Sequence, residues 1–189
     1  TRAMSETIKV FARVRSSTDP RCKNAADCSI KPSPSSLTLS FSDASIPPRT
    51  FGLDGMLWSF DGYGTSSDGQ YFSSPVSPND FGYADQRRVF SDIGLPMLNL
   101  ALQGYNTTLF ALGQAGSGKS FSLQGTQANK GIVPMFCQEL FSRIEKNADP
   151  TVTYEVSVSV FQVYNENVRD LLKLDQPPNG LPIRQHLRA

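Results

Sequence analysis

The sequence predicts an α/β domain, a sheet with helices on its faces. Segments that alternate with a period of two are interleaved with segments of helical spacing, in the order strand, helix, strand, helix, strand. A compact β-prone run, TTLFAL (107–112), leads directly into a glycine-rich stretch, GQAGSGKS (113–120). At 189 residues the chain is long enough to bury one sizeable core.

Each element has its own signal. Ile8, Val10, Ala12 and Val14 alternate with Lys9, Phe11 and Arg13, which predicts a strand over 8–14. Residues 16–48 are rich in Ser, Pro and Asp and read as surface loop, with a short strand over 37–41. A further strand is expected over 50–54. Residues 55–78 carry Gly, Ser and Pro throughout and read as an irregular surface insertion. Helical spacing starts near Tyr83, with Val89, Ile93, Met97, Leu98 and Leu102 able to share a face. Pro96 is expected to end or kink that helix, and Gly104 suits a helix C-terminus. TTLFAL is short and free of charge, which fits a buried central strand. A second long helix is expected over 135–146. Residues 151–164 form the longest alternating segment, with Val152, Tyr154, Val156, Val158 and Val160 on one face. A short apolar piece follows at 168–172, and QPPNG (176–180) reads as a turn.

Composition narrows the function classes. The chain is 39% hydrophobic and 19% charged, with a formal net charge of +1 and the two signs intermixed. That balance gives no reason to expect nucleic acid or an anionic membrane as partner. Cys22, Cys28 and Cys137 are too few and too scattered for a disulfide framework, and His186 is the only histidine. Reduced thiols and no Cys/His metal site are the expectation. No apolar run approaches the roughly 18 residues of a membrane span, and no secretory leader is visible.

GQAGSGKS satisfies the pattern G-x-x-x-x-G-K-[ST], with a strand expected before it and a helix after it. The residue types suit a nucleotide's anionic tail. Gly113, Gly116 and Gly118 admit turns closed to other residues and bring main-chain N–H groups against phosphate oxygens, with Gln114, Ala115 and Ser117 between them. The helix that follows adds its positive end. Lys119 supplies a mobile cation for the outer phosphates, and the Ser120 hydroxyl can ligate Mg²⁺. A chance match at the four fixed positions arises in roughly 1% of chains of this size, before context is required. The segment is therefore read as a phosphate-binding loop. A second motif is set aside: Asp61-x-x-Gly64 has the spacing of a GTPase Mg²⁺ sensor but precedes the loop. Asn129-Lys130 lacks the aspartate of a guanine-reading NKxD. The first reads as surface loop.

Several segments, in order, resemble the N-terminal half of a kinesin motor domain. IKVFARVRS, from Ile8, is similar to that family's opening strand and its RxRP adenine motif. FGLD and Trp58 resemble the next strand. YADQRRVFSDIGLPMLNLALQGYNTTLFALGQAGSGKSFSLQG, from Tyr83, resembles its helix–strand–P-loop block. GIVPMFCQELFSRI, from Gly131, resembles the helix beyond the loop. VSVFQVYNENVRDLL, ending at Leu172, resembles its YNExVxDLL strand, and LPIRQH (181–186) the LxxRExx hairpin. The YxxQxxVxxDIG-like helix and RQH resemble the vesicle-transport subclass.

The resemblance implies a P-loop NTPase fold, α/β, with residues 1–189 as the nucleotide-binding, N-terminal half of the motor domain. It implies ATP or ADP with Mg²⁺ held by Gly113, Gln114, Ala115, Gly116, Ser117, Gly118, Lys119 and Ser120, the last being the metal ligand. It places Arg13, Arg15 and Ser16 on the adenine motif and Phe121 where the family sets an aromatic ring against the base. Read without the family, Arg13 and Arg15 are a solvated strand edge and Phe121 is core packing. Ser16 replaces the family's proline and Ala115 a hydroxyl residue, which implies weaker or faster-exchanging nucleotide. The partner implied is the microtubule (tubulin), mainly through the C-terminal half, in the cytoplasm and on the cytoskeleton, with no membrane contact. The family's NxxSSRSH and DxxGxE motifs are absent from these residues, so no catalytic residue is assigned and this chain alone is expected to be inactive. Glu166 and Asp170 are read as capping or salt-bridge residues, and exposed apolar faces are expected without the rest of the domain. The competing readings are a kinesin-like module that binds nucleotide or tubulin without stepping, and a small-molecule kinase on the same loop. YNENVRDLL argues against the second.

Overall fold

The computed structural model describes residues 8–15, 29–43, 45–75, 82–173, 175 and 180–181. They fall into two compact units, Thr1–Glu145 and Lys146–Ala189. Cys22, Cys28, Ser16, residues 182–186 and all but the last residue of QPPNG lie outside the described residues.

The first unit is organised around two parallel strands, β1 (Phe11–Arg15) and β5 (Gly55–Ser59), in register with Val14 opposite Trp58. Successive side chains of a strand point to opposite faces, so this pair feeds two cores. Met56 and Trp58 join Val14 and Phe60 on one face. Leu57 joins Ala84, Val89 and Ile132 on the other. A three-stranded antiparallel meander packs on the first face through Ile30 and Leu37: β2 (Ile30–Ser33), β3 (Ser36–Leu39) and β4 (Arg49–Gly52). Helices cover the second face.

Of the surface insertion expected at 55–78, the described residues 55–75 hold instead a core strand followed by a hairpin. β5 is buried on both faces, so its sequence, GMLWS, is a continuous apolar run without alternation. Flanking glycines disguise such a run as loop. The hairpin pairs β6 (Tyr63–Thr65) with β7 (Tyr71–Ser73), and Tyr63 and Tyr71 meet edge to face at 5.4 Å. Asp61 accepts a 2.7 Å hydrogen bond from the indole N–H of buried Trp58, a structural role. The strands expected over 8–14, 37–41 and 50–54 are real but displaced, because Ile8 and Phe41 are exposed and residues 53–54 lie beyond β4.

α1 (Gln86–Val89) begins at an Asp85 N-cap whose carboxylate accepts from the Arg88 amide at 2.8 Å. The helix then widens into a π-helical segment, Phe90–Gly94, and continues as α2 (Leu95–Leu102). Pro96 does not end the helix. It sits in the first turn of α2, where the missing N–H costs little, and the wide turn before it accommodates the ring. Leu98 is fully buried, Leu102 is exposed, and Gly104 closes the end at φ +92. α3 (Lys119–Leu123) follows the glycine-rich stretch, and α4 (Ile132–Glu145) starts three residues before its expected onset at 135. Pro134 lies inside the first turn of α4 rather than ahead of it.

Residues 107–112 do not form the buried central strand expected of them. Leu109 packs on the helical core, but Phe110 is 79% and Leu112 90% exposed, and no strand pairs with the segment among the described residues. A run of β-prone residues specifies a strand only where another strand meets its edges.

The second unit holds an antiparallel hairpin, β8 (Phe161–Tyr164) and β9 (Asn167–Asp170). Its turn places Asn165 and Glu166 at φ +46 and +64, the geometry of a tight primed turn. Glu166 is thus a turn residue, and Asp170 accepts from the Leu172 amide at 2.9 Å. Only the last four residues of the 151–164 segment pair as a strand; Val152 to Val160 form no regular element and are exposed. Alternation names a face to bury, not the partner that buries it.

Candidate nucleotide site

The glycine-rich stretch folds as a loop only glycine permits at three points. Gly113, Gly116 and Gly118 take φ of +150, +76 and +97. A Cβ on Gly113 would lie 2.4 Å from the Ser117 hydroxyl oxygen, whereas one on Gly116 meets nothing within 4 Å. The loop is thus tight within and open outward. Residues 113–116 are exposed, and among the described residues no main-chain carbonyl accepts from the Gly116 or Gly118 amide. The Lys119 ammonium folds back onto the loop, donating to the Gly113 and Gln114 carbonyls at 2.7 and 2.8 Å. Arg15, at the end of β1, donates to the Gly116 carbonyl. Ser120 is exposed, and its hydroxyl has no hydrogen bond among the described residues. Open amides, a mobile cation and a spare hydroxyl form a donor set suited to a polyphosphate with its metal. Among the described residues no cluster of three or more His, Cys, Asp or Glu offers a protein-only metal site.

Arg13 is not the solvated strand edge that composition alone suggested. Its Nε donates to Ser59 Oγ at 3.0 Å, Nη1 to Gln86 Oε1 at 2.6 Å and to Ser122 Oγ at 2.9 Å, and Nη2 to the Ala84 carbonyl at 3.3 Å. Its guanidinium carbon lies 5.4 Å from the centre of the Phe121 ring. Burial pushes its pKa below the ordinary arginine value, partly offset by Tyr83 and Asp85. The Arg13 fork thus joins β1, β5, α1 and α3. A cavity of about 460 Å³ runs from Lys119 and Gly118 past Phe121 and Arg13 to Tyr83.

Arg13, Arg15, residues 113–120 and Phe121, named from sequence, therefore converge on one end of the sheet. Ser16 lies outside the described residues. Sequence reasoning missed Gln86 and Asn129, both buried polar residues. For Gln86 the signal was a polar side chain three positions before Val89, on the apolar face of its helix. Asn129 carried none beyond its place in a loop.

The family model for the kinesin motor domain matches residues 69–189. The chain belongs to the kinesin motor-domain family. Kinesin-like protein KIF28 of Rattus norvegicus is 39% identical over 97% of this chain, and Kinesin-like protein KIF1A of the same species is 36% identical over 95%. The chain spans 17% and 10% of their lengths. Among solved structures, a KIF14 dimer with AMP-PNP in complex with a microtubule superposes with a TM-score of 0.73 at 32% identity, over 95% of this chain and 45% of that one. KIF14 with ADP in complex with a microtubule gives 0.66 at 33%, over 96% and 45%. The α/β fold expected of a partial kinesin motor domain is the fold found.

Proposed function

We propose that residues 1–189 are the nucleotide-binding portion of a kinesin motor domain that binds ATP and ADP with Mg²⁺. Within a longer protein, they would belong to a microtubule-stimulated ATPase on the cytoplasmic cytoskeleton, with neither nucleic acid nor membrane as partner of this domain. The observation that carries the reading is the loop 113–120: three left-handed glycines and, among the described residues, Gly116 and Gly118 amides that donate to no main-chain carbonyl and a lysine that donates to loop carbonyls alone. Similarity to motor domains solved with ADP and AMP-PNP on microtubules supports it.

The loop glycines let main-chain amides approach phosphate oxygens, and Lys119 exchanges its two carbonyl partners for phosphate. Ala115 keeps the amide but lacks a hydroxyl, so nucleotide is held less tightly than a hydroxyl residue there would allow. Ser120 offers a metal ligand, and the bound Mg²⁺ supplies charge neutralisation at the phosphates. Phe121 presents a flat, polarizable face to the base, backed by Arg13. These residues bind and neutralise; none of them positions an attacking water, so these residues alone are inactive.

The test is steady-state ATPase of the full-length protein with and without microtubules. Stimulation by orders of magnitude, lost in Lys119→Ala, is expected. A full-length protein that binds nucleotide but shows no stimulation contradicts the motor reading and leaves a binding module.

A further inference from the structure

The Gln86 side chain is buried on α1, and its amide is fully committed. Oε1 accepts from Arg13 Nη1 at 2.6 Å, while Nε2 donates to the Phe121 carbonyl at 2.6 Å and the Asn129 carbonyl at 3.3 Å. One planar group therefore fixes both a charged side chain and the backbone that carries the aromatic ring beneath it. Arg13 can only donate and the two carbonyls can only accept, so one orientation of this amide satisfies all three. No apolar side chain of the same length can do either job.

From this we infer that Gln86 is a positioning residue for the base half of the nucleotide site: it sets Phe121 against Arg13 and so governs how tightly a nucleobase is held, without touching the phosphates. The inference rests on the nucleotide reading above. The phosphate loop owes Gln86 nothing directly. Lys119 and Arg15 donate to the loop's own carbonyls, whereas among the described residues the hydrogen bond from Gln86 to α3 goes to Phe121, beyond the loop. Asn129 extends the frame. Besides receiving Gln86, it donates from Nδ2 to the Gly69 carbonyl at 2.9 Å and accepts the Tyr71 amide at 2.8 Å. The aromatic seat is thereby braced from the β6–β7 hairpin as well as from α1.

The discriminating experiment compares Mg·ADP with inorganic tripolyphosphate, which has the anionic tail and no base. Affinities for both are measured on the full-length protein and on Gln86→Leu, with Trp58 fluorescence and circular dichroism to establish the fold. In the folded variant, Mg·ADP affinity falls about tenfold or more, and tripolyphosphate affinity changes less than about twofold. Equal weakening of both ligands makes Gln86 a purely structural residue and overturns the inference, as does unchanged Mg·ADP affinity. If the native protein binds neither ligand, the nucleotide reading itself fails, a distinguishable result. Should Gln86→Leu not fold, Gln86→Glu carries the same comparison, because it keeps an acceptor for Arg13 and loses both donors.

Discussion

Asn129 accepts the main-chain N–H of Tyr71 at 2.8 Å, across 58 positions of sequence. With its other side-chain bond to Gly69, it pairs with the hairpin end as a neighbouring strand would. Asn129→Ala removes both bonds and leaves two main-chain groups without their partner. It should cost about 1–3 kcal/mol. Hydrogen exchange at the Tyr71 amide should accelerate more than exchange in β5, and equal rates in variant and parent would refute the tether.

Arg13 is a strut between β1, β5, α1 and α3. Its three nitrogens reach acceptors on three different segments, and a lysine has one ammonium to offer. Arg13→Lys should lower stability by about 2–4 kcal/mol in nucleotide-free protein. A urea midpoint matching the parent's would mean that the network contributes nothing to the fold.

Two glycines near the site separate folding from binding. At Gly131 a Cβ would lie 2.4 Å from the Leu123 carbonyl oxygen, so Gly131→Ala must displace the end of α3. A loss of about 3 kcal/mol is expected from that overlap. Gly116→Ala meets no atom within 4 Å and bears only the strain of φ +76, about 1–2 kcal/mol. Thermal unfolding of the two variants should rank them in that order, while nucleotide affinity should suffer in Gly116→Ala.

Alkaline pH should loosen the first unit through Tyr83. Burial raises its pKa above the ordinary tyrosine value, against a smaller opposing pull from Arg13. The folded chain therefore holds this proton more tightly than the unfolded chain. Its contribution to stability is fully present below about pH 10 and is lost as pH climbs through the folded-state value. Tyr83→Phe should flatten that alkaline decline in a pH series of urea midpoints; an unaltered slope would rule Tyr83 out as its source.

The loop 113–120 stood out as a candidate in the sequence because its pattern is local: glycine spacing, a lysine and a hydroxyl reside in eight consecutive residues. Arg13 and Phe121 became candidates only through family resemblance, since no local pattern links a strand arginine to a ring 108 positions later. β5 was missed because burial on both faces erases the alternation that marks a strand. Residues 107–112 and 151–160 erred the other way. Their patterns state a preference for pairing, but pairing is a property of two segments. Gln86 and Asn129 stayed hidden because a buried amide is defined by its partners, and these come from α3, β1 and the β6–β7 hairpin.

The central claim is that the loop 113–120 holds a nucleotide's phosphates with Lys119 as its cation. Titration calorimetry of the full-length protein with Mg·ATP and Mg·ADP tests it directly. Saturable heat in the parent protein, abolished in a folded Lys119→Ala variant, is the predicted result. No heat in the parent, or the same affinity in the variant, would contradict it.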